Sequence, residues 1–320
     1  MLEFPEKVKL AQLNTPVVAL KRLSETYGGP EILLKRDDLT GVELSGNKVR
    51  KLEYVLAEAL QQKKAGIVTC GGIQSNHARA SAAACAKLGL KCHLLLRGKE
   101  PDAYRGNLFL DLMFGASYEW ITPEQYRDER RTLLEQAGEK MNLLPVEEGA
   151  SMPTGVWGYI EAARELQNVE TDAIICAIGS GGTLTGLLIG KKVFSLKADI
   201  LAVNVCDDAD YFKKRVSNLS KQFSEKYNLD FQLEEDEIKI IDGYVGEGYA
   251  LHNDEQRAVA IEAAKLEGII FDPVYTGKML WGVKSEIAKG NFKKYKRITL
   301  LHTGGIFGAL ADSAQYSFRK

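Results

Sequence analysis

Lys48 stands where an amine could do covalent chemistry. It opens Lys48-Val49-Arg50-Lys51-Leu52-Glu53-Tyr54, a stretch with helical spacing. At about 100° per residue its side chain falls within about 40° of Leu52, Val55 and Ala59, on the stripe that should be buried. Burial disfavours an ammonium and can lower its pKa by up to about 3–5 units from about 10.4. A neutral amine attacks carbonyls, so the pattern points to Schiff-base chemistry. The bland alternative is a first-turn lysine that snorkels to water.

Four further segments carry polar groups at element boundaries. Ile178-Gly179-Ser180-Gly181-Gly182-Thr183-Leu184-Thr185-Gly186 follows an apolar run and opens a helix, where backbone N–H groups and the helix terminus favour a phosphate. It lacks the Lys-Ser/Thr ending of a P-loop, and Leu184 takes the place of the last glycine of G-x-G-x-x-G, so a nucleotide is disfavoured. Gly71-Gly72-Ile73-Gln74-Ser75-Asn76-His77 sets a hydroxyl and an amide at another helix start, where capping alone would also explain them. Asp272-Pro273-Val274-Tyr275-Thr276-Gly277-Lys278 and His302-Thr303-Gly304-Gly305 complete the set. Alone, each of these last two reads as a turn. His77 and His302 have no partners that suggest a triad and read as structural, and no spacing suggests a metal site. A Schiff-base lysine, a phosphate cup that is not a nucleotide site and polar loop groups together describe pyridoxal 5'-phosphate (PLP), which offers an aldehyde, a phosphate and a pyridine nitrogen.

These groups need elements to hold them. Strand-like runs are Ile32–Lys35, Gly66–Cys70, Lys91–Leu96, Ser117–Trp120, Ala173–Ile178, Ile200–Val205 and Arg297–His302, alternating with helical stretches such as Asn76–Leu88, Thr185–Val193 and Asp254–Glu267. That alternation predicts an α/β protein with two open, mostly parallel twisted sheets flanked by helices. The chemistry then belongs in a cleft at the strand carboxyl ends. Gly149–Gly155 reads as a crossing between lobes. The 320 residues, 45% hydrophobic, can fill one large core or two modest ones. With 42 Lys plus Arg against 43 Asp plus Glu and no long single-sign block, nothing suggests a nucleic-acid partner. Lys213-Lys214-Arg215 reads as a solvated face. The five cysteines, without a C-x-x-C pair, fit buried free thiols. No targeting or membrane segment is evident, and a cytoplasmic location is expected.

Gly46–Tyr54, Gly72–His77, Gly179–Thr183, Asp272–Lys278 and His302–Gly305 resemble, in order, the motifs of the D-cysteine desulfhydrase/1-aminocyclopropane-1-carboxylate (ACC) deaminase family. The resemblance covers essentially the whole chain. It implies a PLP enzyme of fold type II, similar to the tryptophan synthase β chain, usually a homodimer. Residues 48–154 would form a smaller domain inserted into a larger PLP-binding domain of residues 1–47 plus 155–320. It also implies Lys48 as the Schiff-base lysine, Asn76 beside the pyridine hydroxyl, and Gly179, Ser180, Gly181, Gly182 and Thr183 as the phosphate cup. Ser75 would meet the substrate carboxylate or act as a base, Lys51 would carry a proton, and Tyr249 and Tyr275 would line the substrate side. Relatives similar to ACC deaminase carry a glutamate directly after the tyrosine that matches Tyr275; here Thr276 stands there. A neutral hydroxyl at the pyridine nitrogen, from Thr276 or Thr303, favours β-elimination over ring opening. D-cysteine, cleaved to pyruvate, hydrogen sulfide and ammonia, is the expected substrate, with ACC deaminase or a sulfo-lyase acting on cysteate as the alternatives. A PLP protein without turnover, or a nucleotide-binding module, is the alternative of another class. Ile306-Phe307-Gly308 and Met279-Leu280-Trp281 are bulkier than the desulfhydrase resemblance leads one to expect, and predict a reshaped pocket.

Overall fold

The computed structural model describes residues 2–229 and 233–316. The chain enters through β1 (Val17–Ala19) and β2 (Glu31–Lys35), and then leaves that sheet. Next come β3 (Gly66–Gly72), β4 (Lys91–Arg97), β5 (Ser117–Ile121) and β6 (Leu143–Val146), which pair in parallel as a separate sheet ordered β5-β4-β3-β6. The chain returns through β7 (Ala173–Ile178), β8 (Asp199–Asn204), β9 (Lys239–Ile241) and β10 (Arg297–Leu301). These complete a six-stranded sheet ordered β1-β2-β10-β7-β8-β9, parallel except for the antiparallel β1–β2 pair. The expected α/β architecture of two mostly parallel sheets is present.

The central strands are buried on both faces because they are apolar almost throughout. In β7, Ile174, Cys176 and Ile178 pack with Trp157, Leu187 and Phe212, while Ala173, Ile175 and Ala177 face Met279, Leu280 and Val283. Period-2 alternation thus feeds two cores from one strand. The small sheet repeats the scheme: Ile67 joins Leu52, Val55 and Ala82, and Val68 and Cys70 join Tyr126 and Leu134.

The seven expected strands are present within two residues of their expected ends; β1, β6 and β9 were not expected. All three lie at sheet edges and have three or four residues, and β6 contains Pro145, which only an edge strand tolerates. The helices Asn76–Leu88 and Asp254–Glu267 match their expected bounds, and Gly182–Phe194 starts three residues before its expected start.

The crossing after β6 is a tight turn at Glu148–Ala150, followed by the helix Pro153–Glu165. That helix packs on the helices Lys48–Gln61 and Gly182–Phe194. Under Lys48 lies a buried charge network: Arg50 pairs with Asp37 (2.8 Å) and Glu165 (2.7 Å), Lys35 pairs with Glu165 (2.5 Å), and the Tyr159 hydroxyl donates to Asp37 (2.7 Å). Burial alone would raise the Asp37 carboxyl, but Arg50, Tyr159 and Thr15 together hold it below its usual value. Removing one partner would leave a buried charge unpaired, at a cost of about 3–5 kcal/mol.

Candidate active site

Strand ends from both sheets and the starts of several helices meet at the cleft. Lys48 is the first residue of the helix Lys48–Gln61, and Leu52, Val55 and Ala59 on its stripe are fully buried. The residue before it, Asn47, makes no side-chain cap; its amide donates to Thr183 Oγ1 at 3.0 Å, tying the lysine to the turn after β7. The Lys48 Nζ lies 5.9 Å from the centre of the Tyr275 ring. Burial pushes this amine down to about 8, with Arg79 adding to the effect and Glu148 and Asp272 opposing it. The snorkelling alternative therefore fails, because the amine points into the cleft.

The turn Gly179–Gly182 forms a backbone cradle at the start of the helix Gly182–Phe194. Gly181 has φ +94°, a conformation that glycine adopts without strain. A Cβ on Gly182 would come within 2.8 Å of Ser151 Oγ and 3.1 Å of Lys51 Nζ, so side chain is excluded there. Leading N–H groups of a helix have no carbonyl one turn earlier. Here the Gly182 N–H is held by Ser151 Oγ (3.1 Å), and Ser151 donates to Ser180 Oγ (2.8 Å). Arg215 donates from Nε to the Ser180 carbonyl (2.8 Å) and braces the turn from behind, so the reading of Lys213–Arg215 as merely solvated is corrected. Phe212, Val216 and Leu219 are buried on the same helix, and that apolar spacing was the signal for an inward Arg215.

Lys51 lies beside this cradle. Its Nζ donates to the Gly149 carbonyl (3.2 Å), and burial together with the Lys48 charge drives its pKa well below the ordinary value. On the opposite wall Ser75 caps the helix Asn76–Leu88, its Oγ accepting from Ala78 N at 3.2 Å. The Asn76 Oδ1 accepts from Asn107 Nδ2 (3.0 Å), which turns the Asn76 NH2 end toward other partners. His77 hydrogen-bonds Thr69 (2.8 Å) through Nε2 and is held well below its usual pKa by burial and by Lys48 and Lys51. His302 accepts from Gly304 N at Nδ1 (3.2 Å) and contacts the Ile270 carbonyl through Nε2 (2.9 Å). Both histidines are thus held by hydrogen bonds within the fold, and His77 also lines the cleft.

The two threonines separate. Thr303 lines the cleft. Thr276 does not: it is fully buried, its hydroxyl donates to Asp272 Oδ1 (2.7 Å) and its N–H bonds the same oxygen (2.8 Å). The Tyr275 and Tyr249 hydroxyls share a hydrogen bond of 2.7 Å, with burial raising Tyr275 well above and Tyr249 to about 12. Met279 and Leu280 are core residues beneath the large sheet, and Phe307 packs on the Arg79 guanidinium at 5.2 Å; none lines the cleft, so the expected reshaping does not come from them. Residues the sequence did not single out are Glu148, the only carboxylate lining the cleft among the described residues, and Arg97 at the end of β4, whose guanidinium lies between the Tyr126 and Tyr249 rings (5.0 and 5.4 Å).

Residues 8–304 match the family described as pyridoxal-phosphate dependent enzyme. A bifunctional D-cysteine desulfhydrase/ACC deaminase of Arabidopsis thaliana is 39% identical over 93% of this chain and 78% of its own. A D-cysteine desulfhydrase of Klebsiella pneumoniae is 37% identical over 95% of each. The crystal structure of an ACC deaminase homologue superposes with a TM-score of 0.87 at 31% identity, covering 98% of this chain and 95% of the other.

Proposed function

Because this chain belongs to the pyridoxal-phosphate-dependent enzymes, within the ACC deaminase/D-cysteine desulfhydrase group, we propose that it catalyses β-elimination on D-cysteine, releasing pyruvate, hydrogen sulfide and ammonia. The cleft fits PLP: a glycine cradle that excludes side chains suits the phosphate, and a lowered-pKa lysine suits the aldehyde. When bound, PLP supplies a carbonyl that captures amines and a ring that accepts electron density from the α-carbon.

Each neighbouring side chain then has one task. Lys48 would hold the cofactor through its neutral amine, and its Nζ would take the α-proton of the substrate. Gly179, Ser180, Gly181, Gly182 and Thr183 would hold the phosphate, and Lys51, whose amine lies beside the cradle, would donate to this group or carry a proton. Asn76, whose NH2 is left free to point away from Asn107, would donate to the pyridine hydroxyl, and Ser75 would donate its O–H to the substrate carboxylate. Thr303, which lines the cleft, would meet the pyridine nitrogen, whereas the Thr276 hydroxyl is spent on Asp272. Tyr275, kept protonated by burial and paired with Tyr249, is placed to give a proton to the leaving thiolate.

The observation that carries D-cysteine over ACC is that Thr303, a neutral residue, lines the cleft, where it would meet the pyridine nitrogen. A carboxylate there would hold the ring nitrogen protonated and strengthen the electron sink, as opening an unactivated ring requires; a hydroxyl does not. Thiolate expulsion needs less. The test is pyruvate or 2-oxobutyrate release from D- and L-cysteine, β-chloro-D-alanine, ACC and cysteate. D-cysteine should give the highest kcat/KM and ACC the lowest. Preference for ACC, or no hydrogen sulfide from D-cysteine, would overturn the substrate while leaving the cofactor in place.

The same reading includes a small domain of residues 48–154 within a larger one, a homodimer, and a cytoplasmic location. Support for the dimer is an apolar groove in which Ile270 and Leu310 are 47% and 60% exposed. Among the described residues no helix is long and apolar enough to cross a membrane.

A further inference from the structure

Lys278 is fully buried, yet among the described residues no carboxylate lies within ion-pair distance of its ammonium. Its Nζ instead donates to three backbone carbonyls: Val245 at 2.7 Å, Gly248 at 2.7 Å and Val205 at 3.3 Å. Val205 follows β8, and the other two belong to the loop Gly243–Ala250. That loop coils tightly, with Gly243, Gly246, Gly248 and Ala250 all at positive φ, so that two of its carbonyls converge on one point. The residue after Gly248 is Tyr249. The lysine itself lies in the first turn of the helix Thr276–Ala288, three residues after Tyr275.

We propose that Lys278 is a positioning residue: a tethered cation whose carbonyl contacts clamp the Gly243–Ala250 loop to the Tyr275 helix, assembling the Tyr249–Tyr275 hydroxyl pair. A buried ammonium is costly unless its donors are matched, and three carbonyl oxygens match all three N–H groups. Without it, the Val205 and Val245 carbonyls would lose this donor and the Gly248 carbonyl would keep only the Leu251 N–H (3.2 Å), so the Val245–Gly248 stretch, beyond the buried Tyr244 anchor, would lose its tie to the helix. The groups facing the ammonium besides these carbonyls are the Cys206 thiol and the Asp272 carboxylate; they act only at longer range, opposing the fall that burial imposes. Asp272 in turn holds the N–H groups of Val274, Tyr275 and Thr276, so the ammonium and this carboxylate fix the two ends of the same turn.

The proposal rests on the assignment of Tyr249 and Tyr275 to the substrate side, and its test separates the two. In the PLP-loaded enzyme, Lys278→Met should speed hydrogen exchange of the amides of residues 243–250 by about tenfold or more, a readout that needs no substrate. It should lower kcat/KM on D-cysteine by about tenfold or more through kcat, because misplacing a reacting group by an ångström is that costly. In a Tyr249→Phe background, adding Lys278→Met should cost less than about twofold more, since the clamp then has no hydroxyl to place. Should Lys278→Met fail to fold, Lys278→Ala with ammonium chloride replaces it: ammonium should restore both readouts, and tetramethylammonium, which has no N–H, should not. Unchanged exchange, full independent losses in both backgrounds, or rescue by both ions or by neither would overturn the clamp. If the parent does not process D-cysteine, the substrate assignment falls and the exchange measurement still decides the clamp.

Discussion

At the scale of single residues, the proposed chemistry rests on Lys48 and Thr303. Lys48→Ala should abolish the absorbance of covalently held PLP while leaving the fold intact, because Lys48 caps no core cluster; borohydride trapping of PLP on another lysine would show that the anchor is elsewhere. The pH dependence has a definite sign. Burial lowers the amine from 10.5 to about 8, so the neutral, reactive form appears above about pH 8. The rate of PLP attachment to the cofactor-free protein should therefore rise with a midpoint near 8, measured by stopped-flow absorbance. Between about 8 and 10.5 the unfolded chain holds the proton that the folded chain has lost, so cofactor-free protein should also gain stability as pH rises through that window. Thr303→Val should raise the PLP dissociation constant and slow turnover. Thr276→Val should instead lower the melting temperature, because it strands buried Asp272 contacts.

At the scale of elements, the phosphate cradle is a helix start whose first residues are glycines. Gly181→Asp and Gly181→Ala share the strain of a side chain at φ +94°, which costs about 1 kcal/mol, but only the aspartate adds a negative charge to the turn, on its Arg215 side, where it would draw on the positive potential offered to the anion. Both variants should melt at similarly reduced temperatures, and Gly181→Asp should bind PLP at least about tenfold more weakly than Gly181→Ala by equilibrium titration. Equal affinities would remove the phosphate from this turn. Central strands were legible because continuous apolar runs bounded by glycine have few other readings. The edge strands β1, β6 and β9 were not, since three or four residues carry too little pattern and pairing with a neighbour decides them.

At the scale of the whole molecule, the cleft exists because the carboxyl ends of β3 and β4 in one sheet face those of β7 and β10 in the other, with the Lys48 helix between them. The apolar face at Ile270, Ile306 and Leu310 lies outside that cleft. Leu310→Glu should convert a dimer into a monomer in sedimentation velocity runs if this face is the subunit contact, while leaving PLP absorbance unchanged.

Local pattern determined the strand and helix succession, the glycine cradle, the capping role of Ser75 and the unusual position of Lys48, because each depends on neighbours within a turn or a pleat. Tertiary structure alone separated Thr303 from Thr276: both lie in short polar motifs, and only the fold sets Thr303 at the cleft wall and spends the Thr276 hydroxyl on Asp272. It also turned Arg215 inward onto Ser180, set Lys51 beside the cradle, brought Glu148 against Lys48, and gathered three distant carbonyls around Lys278. Such pairings join residues tens to more than a hundred positions apart, and hydrogen bonds across that distance leave no periodic trace along the chain.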